Sequence, residues 1–292
     1  MKIPGAILAA MLTPFDEEGA VNVDGIVPLV DHVLAQGVHG LYAGGSTGEA
    51  MLQSREERAL LLTELATYAR EKCTLVAHVG AASTEDAVAL ARLAAREGYH
   101  AVSAVPPYYY KHAFEDIQVY YKAIADAAGM PLIVYNIPAL TGANLSTDQL
   151  LRLLDDDGIG GMKYTTPDLF QFWQLRRTAP EKSFYFGTDE MFLGAAAIGA
   201  DGGIGSTYNL IGDVYVGIHE AIEAGDIDTA RRLQAKSCTL VDILLETGVM
   251  PGLKYALNRQ GIPVGPCRRP FTPPVPAALA KLDRWMDENL GR

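Results

Sequence analysis

Short apolar runs alternate along this chain with longer amphipathic segments, and that alternation predicts its elements. Eight runs read as strands: Ile7–Leu12, Gly40–Ala43, Leu75–Val79, Ala101–Val105, Leu132–Tyr135, Ile159–Met162, Phe184–Phe186 and Gly203–Gly205. The segments between them carry helix-start signals. Ser54-Arg55-Glu56-Glu57 is a capping box ahead of Leu60, Leu61, Leu62 and Leu65. Ser83-Thr84-Glu85-Asp86 and Ser146-Thr147-Asp148-Gln149 are similar, and Thr166-Pro167-Asp168 sets a proline at a first helical position. Strands separated by helix-length segments form βαβ units and a parallel sheet. Eight such units, at about 25–30 residues each, match the scale of an α/β (β/α)8 TIM barrel, with a doubly wound open sheet as the competitor. After residue 210 the strands stop, and Asp213–Glu223, Asp226–Thr247, Pro251–Arg259 and Pro276–Leu290 all read as helices. The expected organisation is a barrel over 1–210 and a helical extension over 211–292, packed together as one structural unit.

Composition narrows the class. Of 292 residues, 49% are hydrophobic and 20% charged, as in ordinary globular proteins. The net charge of −11 argues against a nucleic-acid or anionic-membrane surface, because phosphate attraction needs concentrated positive charge. Cys73, Cys238 and Cys267 are widely spaced, which fits free thiols in a reducing compartment. The run Ala6–Leu12 leads directly into Thr13-Pro14-Phe15-Asp16 and reads as a first strand, not a signal peptide. No run reaches the ~18 apolar residues of a membrane span. These features together lead to an expected cytoplasmic location. The six histidines show no ligand spacing, so no metal is expected.

In a barrel of this kind chemistry sits at the C-terminal ends of the strands. After the second strand comes Gly44-Gly45-Ser46-Thr47-Gly48-Glu49. Its freed N–H groups and two hydroxyls can hold a carboxylate or phosphate; a plain tight turn is the alternative. Tyr135, closing the fifth strand, is either a proton relay or a half-buried aromatic. Lys163 follows the apolar sixth strand, where a desolvated amine can attack a carbonyl carbon; a lysine reaching to solvent is the alternative. Asp189, Glu190 and Ser206 share the rim of strands seven and eight. They suit a polyhydroxylated substrate, although Asp189 and Glu190 could equally favour the next helix through its dipole or act as metal ligands.

In order along the chain, Gly44-Gly45-Ser46-Thr47-Gly48-Glu49, Tyr135-Asn136-Ile137-Pro138, Met162-Lys163 and Gly202-Gly203-Ile204-Gly205-Ser206-Thr207-Tyr208-Asn209 resemble the pyruvate-dependent class I aldolases. That family is typified by dihydrodipicolinate synthase and N-acetylneuraminate lyase, and the resemblance covers essentially the whole chain. It is closer to the branch that cleaves N-acetylneuraminate to pyruvate and N-acetylmannosamine. Ala139-Leu140 stands where the synthases typically carry an arginine. The resemblance implies a Schiff base on Lys163, with Tyr135 as proton donor and acceptor. It also implies Ser46 and Thr47 on the pyruvyl carboxylate, and Thr165, Gly187, Asp189, Glu190 and Ser206 along the sugar chain. No cofactor is implied. A homotetramer is, with Tyr109 crossing into the neighbouring subunit's site. Tyr164 and Thr188 depart from the lyase pattern and leave the exact sugar acid open. A 2-keto-3-deoxy sugar-acid aldolase, a dihydrodipicolinate-synthase-like condensation and a non-catalytic sugar-acid-binding barrel are the competing readings.

Overall fold

The computed structural model describes residues 3–291. In chain order its elements are β1 (Ile7–Ala10), α1 (Ile26–Leu34), β2 (Gly40–Ala43), α2 (Arg55–Ala69), β3 (Thr74–His78), α3 (Thr84–Glu97), β4 (Ala101–Ala104) and α4 (Phe114–Ala128). They continue as β5 (Leu132–Asn136), α5 (Pro138–Thr141), α6 (Thr147–Leu154), β6 (Ile159–Tyr164), α7 (Leu169–Thr178), β7 (Ser183–Phe186), α8 (Phe192–Ala197) and β8 (Gly202–Gly205). Four further helices follow: α9 (Tyr208–Glu223), α10 (Ile227–Thr247), α11 (Val249–Arg259) and α12 (Pro276–Asn289). All eight expected strands are present. They form a closed barrel in sequence order, every pair parallel, with Leu8 of β1 set against Ile204 of β8.

The helix starts follow the local chemistry read from the sequence. The Ser54 and Ser146 side chains each accept the N–H three residues on, and Glu57 and Gln149 reach back to complete the boxes. Ser83 accepts from Asp86. At α7 the start differs from expectation, because Asp168 itself is the cap. Its carboxylate takes the Gln171 N–H at 2.9 Å while Thr166 Oγ1 takes the Asp168 N–H, so Pro167 falls outside the helix.

Strand alternation sorts the core into two parts. Leu8, Ala10, Tyr42, Val76, Ile133, Tyr135, Tyr185 and Ile204 fill the barrel interior. Residues of opposite parity, such as Ala9, Leu41, Leu75, Val102, Val134 and Phe184, meet the helices in a much larger outer cluster. Helix α9 packs on β1 and beside α1, closing the ring of helices. It begins before the expected Asp213, bends at Ile211, and carries Tyr208 and Asn209 into the wall. Helix α10 lies along α9, α12 lies along α10, and the chain after α11 returns to the β1 and β2 loops, where Phe15 N–H meets Val264 O at 3.1 Å. Among the described residues no helix is long and apolar enough to cross a membrane, and no three His, Cys, Asp or Glu side chains converge as a metal site would require.

Candidate active site

Parallel register sets the first row of the site. Lys163 of β6 pairs with Tyr135 on β5 and with Tyr185 on β7, so all three side chains enter the barrel at one level. Lys163 lies within its strand, not after it, and is 4% exposed. Its Nζ sits 4.2 Å from the Tyr135 ring centre and 4.4 Å from that of Tyr42. No carboxylate among the described residues pairs with it. An amine held against two rings, with no ion pair to quench it, is available to a carbonyl carbon. The rings are themselves fixed. Tyr42 donates to Ser103 Oγ at 3.0 Å, Ser103 donates on to Ile133 O, and Tyr42, His78 and Tyr135 meet edge-on or tilted near 6 Å. Burial first, and Tyr135 second, push the Tyr42 phenol well above the usual tyrosine range.

The turn after β2 spends its carbonyls on the protein. Gly44 O accepts from His78 Nδ1 at 2.9 Å, and Gly45 O accepts the Ala50 N–H at 3.2 Å. Ser46 O accepts the Glu49 N–H, while Gly48 O takes both Thr13 Oγ1 and Gln53 Nε2. The N–H groups of Ser46, Thr47 and Gly48 donate to no described residue. A turn with bonded acceptors and free donors has the geometry to hold an anion. His78 is completely buried, and its Nε2 receives the Val105 N–H, which fixes the proton on Nδ1. Burial, and then the nearby Arg58 guanidinium, hold this imidazole well below the ordinary histidine range. Arg58 is buried as well and donates to Gly80 O and His78 O.

The rim of β7 and β8 is of the opposite kind. Asp189, 6% exposed, accepts the Thr207 N–H at 2.9 Å, Thr207 Oγ1 at 2.6 Å and, more weakly, Ser206 Oγ at 3.4 Å, all on Oδ2. Its Oδ1 is buried without a partner, as are Tyr208 Oη and Thr165 Oγ1. Thr207 Oγ1 continues to Tyr215 Oη, and Tyr215 to Ser237 Oγ, each at 2.6 Å. Gln234 Nε2 reaches both Ser237 and the backbone carbonyl of Asp189, closing a ring through α9 and α10. This ring explains the glycines of strand eight. A Cβ on Gly205 would lie 2.0 Å from Asp189 Oδ1, and one on Gly203 would lie 2.2 Å from Tyr208 Oη. Burial lifts the Asp189 carboxyl to about 6, against the pull of the Thr207 bonds.

Most residues singled out from sequence converge here: Ser46 and Thr47 on the β2 turn, Tyr135 and Lys163 inside the barrel, and Thr165, Gly187, Asp189 and Ser206 on the opposite rim. Gly187 approaches closely, since a Cβ there would come 3.1 Å from Lys163 Cε. Glu190 is exposed at the outer edge. Tyr109 is not part of its own chain's site; it stands 88% exposed, at φ 80°, beside exposed Tyr110. Tyr164, one of the two departures from the lyase pattern, does not line the pocket. Next to inward Lys163 it must point outward, where it packs on Phe172 and Phe186 and donates to Asp168 O at 3.0 Å. Its departure from the lyase pattern therefore lies in the outer core. Sequence reasoning passed over Tyr42, Arg58, His78, Thr207, Tyr215 and Gln234. Strand-end position was a usable signal for His78, and the others have none in local pattern.

The family model described as the dihydrodipicolinate synthetase family matches residues 4–288. An N-acetylneuraminate lyase of Rhizobium meliloti (strain 1021) is 44% identical over 282 residues, covering 97% of this chain and 94% of that protein. One from Citrobacter koseri is 46% identical over 91% of each chain. Among solved structures, CdNal from Clostridium difficile, in complex with mannosamine, superposes with a TM-score of 0.94 at 35% identity, covering 97% of this chain and 98% of that one.

Proposed function

The chain belongs to the dihydrodipicolinate synthetase family, and from that premise we propose that it is a Schiff-base lyase cleaving N-acetylneuraminate reversibly to pyruvate and N-acetylmannosamine. The observation that carries the reading is Lys163. It is a nearly buried amine without an acidic partner among the described residues, in register with Tyr135 and against the Tyr42 ring of β2, the strand that leads into a turn of N–H donors free among those residues.

In this mechanism Lys163 Nζ adds to the C2 ketone of the open-chain substrate, and water leaves to give an iminium that acts as an electron sink. Tyr135 takes the proton from the C4 hydroxyl. The C3–C4 bond breaks, its electron pair forms the enamine, and the aldehyde departs. Protonation of the enamine and hydrolysis release pyruvate and return the amine. The N–H groups of Ser46 to Gly48, with the Thr47 hydroxyl, hold the carboxylate throughout, already oriented before substrate arrives. Thr165, Gly187, Asp189, Glu190 and Ser206 form the wall along which the hydroxylated chain lies. The lysine itself activates the carbonyl, so no metal or organic cofactor takes part. The exposed Tyr109 fits the reading in which the protein works as a cytoplasmic homotetramer and this side chain enters a neighbour's site.

Borohydride reduction in the presence of pyruvate tests the reading. One reduced pyruvyl adduct on the Lys163 peptide is expected, with neither adduct nor turnover in Lys163→Ala. Turnover near the wild-type rate in that variant would refute it. Comparing kcat/KM on N-acetylneuraminate and 2-keto-3-deoxygluconate decides the sugar acid, with the former expected to be higher.

A further inference from the structure

Glu49 closes the donor turn in a left-handed backbone conformation (φ 57°), which is unfavourable for a residue with a Cβ and must be held from outside. Its carboxylate does not point into the barrel mouth. It enters a pocket under the chain that returns from α11, with its side chain at 0% exposure. There Oε1 lies 2.9 Å from Lys254 Nζ, itself 2% exposed, and Oε2 accepts the Arg268 N–H at 2.8 Å. Lys254 also donates to Pro266 O at 2.8 Å and stacks its ammonium 4.2 Å from the Phe15 ring. Arg268 covers the same ring, bonds Leu52 O and Gly19 O, and pairs with Glu57. The returning segment is thus tied to both loops beside the turn, and the Lys254–Glu49 pair and the Arg268 N–H bond reach the turn itself. Burial pulls the Lys254 amine below the ordinary lysine range, and the Glu49 carboxylate opposes that pull.

We propose that Lys254 is a positioning residue for substrate carboxylate. By pairing with Glu49, both side chains buried under the helical extension, it holds the Ser46–Gly48 N–H groups in their anion-binding direction. The physical reason is that a lone carboxylate is far costlier to bury than a paired one. Without Lys254 the unpaired Glu49 carboxylate leaves the pocket. That breaks its anchor on the Arg268 N–H and frees the left-handed residue that orients the turn. Lys254 does not touch substrate; it acts through Glu49. The inference rests on the carboxylate-holding reading of this turn given above.

The test uses full-length Lys254→Met, Glu49→Gln and the double variant. The half-saturating pyruvate concentration in borohydride trapping is measured beside kcat and Tm. Lys254→Met is expected to raise half-saturation about tenfold or more while kcat stays within about threefold, because the Lys163 amine is untouched. Glu49→Gln keeps an acceptor for the Arg268 N–H and is expected to lose less. The double variant should sit within about threefold of Glu49→Gln, since Lys254 has no charge left to hold. If Lys254→Met does not fold, that last comparison carries the test alone. An unchanged half-saturation in folded Lys254→Met, with only Tm lowered, overturns the proposal. So does a double variant far weaker than Glu49→Gln. Failure of wild-type enzyme to trap pyruvate at all would instead overturn the functional reading.

Discussion

The two rims of the barrel mouth face the same lysine and are built in opposite ways. On the β2 side every carbonyl of Gly44, Gly45, Ser46 and Gly48 is bonded inward and the donors are left over. Behind it lie an imidazole held well below the ordinary histidine range by burial and the buried Glu49–Lys254 pair. On the β7–β8 side the oxygens left without a partner among the described residues include Asp189 Oδ1 and Thr165 Oγ1, and burial lifts the central carboxyl to about 6. In the proposed function the difference follows from what each rim meets. A carboxylate is the same on every 2-keto acid and is best served by rigid, preoriented donors. A chain of hydroxyls both donates and accepts, and its length and stereochemistry vary, so the facing wall keeps acceptors and hydroxyls.

The largest break in this comparison lies between the rims. Tyr135→Phe removes one oxygen and leaves the ring that flanks Lys163 in place. The expected result is a loss of about 10²–10⁴ in kcat, the usual scale for a missing general acid or base, with borohydride trapping of pyruvate retained. Loss of trapping along with kcat would mean that the ring, not the hydroxyl, is what the site needs.

A smaller effect probes the wall. In Gly187→Ala the new methyl meets Thr165 Oγ1 and Lys163 Cε. The hydroxyl can rotate away, but the lysine stem must shift by a few tenths of an ångström. Displacement of a reacting atom on that scale is expected to lower kcat by about 10–100-fold. Half-saturation by pyruvate should change little, because the donor turn is on the other rim. A rise in half-saturation with unchanged kcat would show that the two rims are not independent.

These contrasts mark where local sequence suffices. The strands, the capping serines and Lys163 are set by patterns within a few residues, so they are visible one segment at a time. The glycines at 203 and 205 are visible too, but their reason is not. It lies in a tyrosine and an aspartate that reach the same spot from other elements. Lys254 reads as one more polar residue on an amphipathic helix until the returning chain lays it against Glu49. Tyr164 shows the reverse case. Its neighbour in sequence enters the barrel interior, yet strand alternation sends it to the other face of the barrel wall.

The finest distinction between the rims is in their response to acid, and Thr207 is the residue that tests it. Burial raises the Asp189 carboxyl from 3.8 to about 6, Glu190 adds to the rise, and the Thr207 bonds and Lys163 oppose it. The folded value therefore lies above the unfolded one, and the native state keeps a proton that the unfolded chain has released. The stability this group contributes is full below pH 3.8, falls as the pH rises through about 6, and is constant beyond. Catalysis runs the other way. The ionised carboxylate accepts Thr207 and Ser206, so the acid limb of kcat/KM is expected near 6. Thr207→Val keeps the shape and the N–H bond but removes the hydroxyl bond at 2.6 Å. A hydrogen bond to a charged group is worth about 1.5–3 kcal/mol, and one pKa unit about 1.4 kcal/mol, so the limb should move up by about one to two units. Ser237→Ala leaves the Thr207–Asp189 bond standing and removes only its remote support, so its limb should move much less. On the β2 rim burial holds the His78 imidazole well below the ordinary histidine range, so half-saturation by pyruvate is expected to stay flat across the same pH range. A limb that ignores Thr207→Val would place the ionisation elsewhere than Asp189.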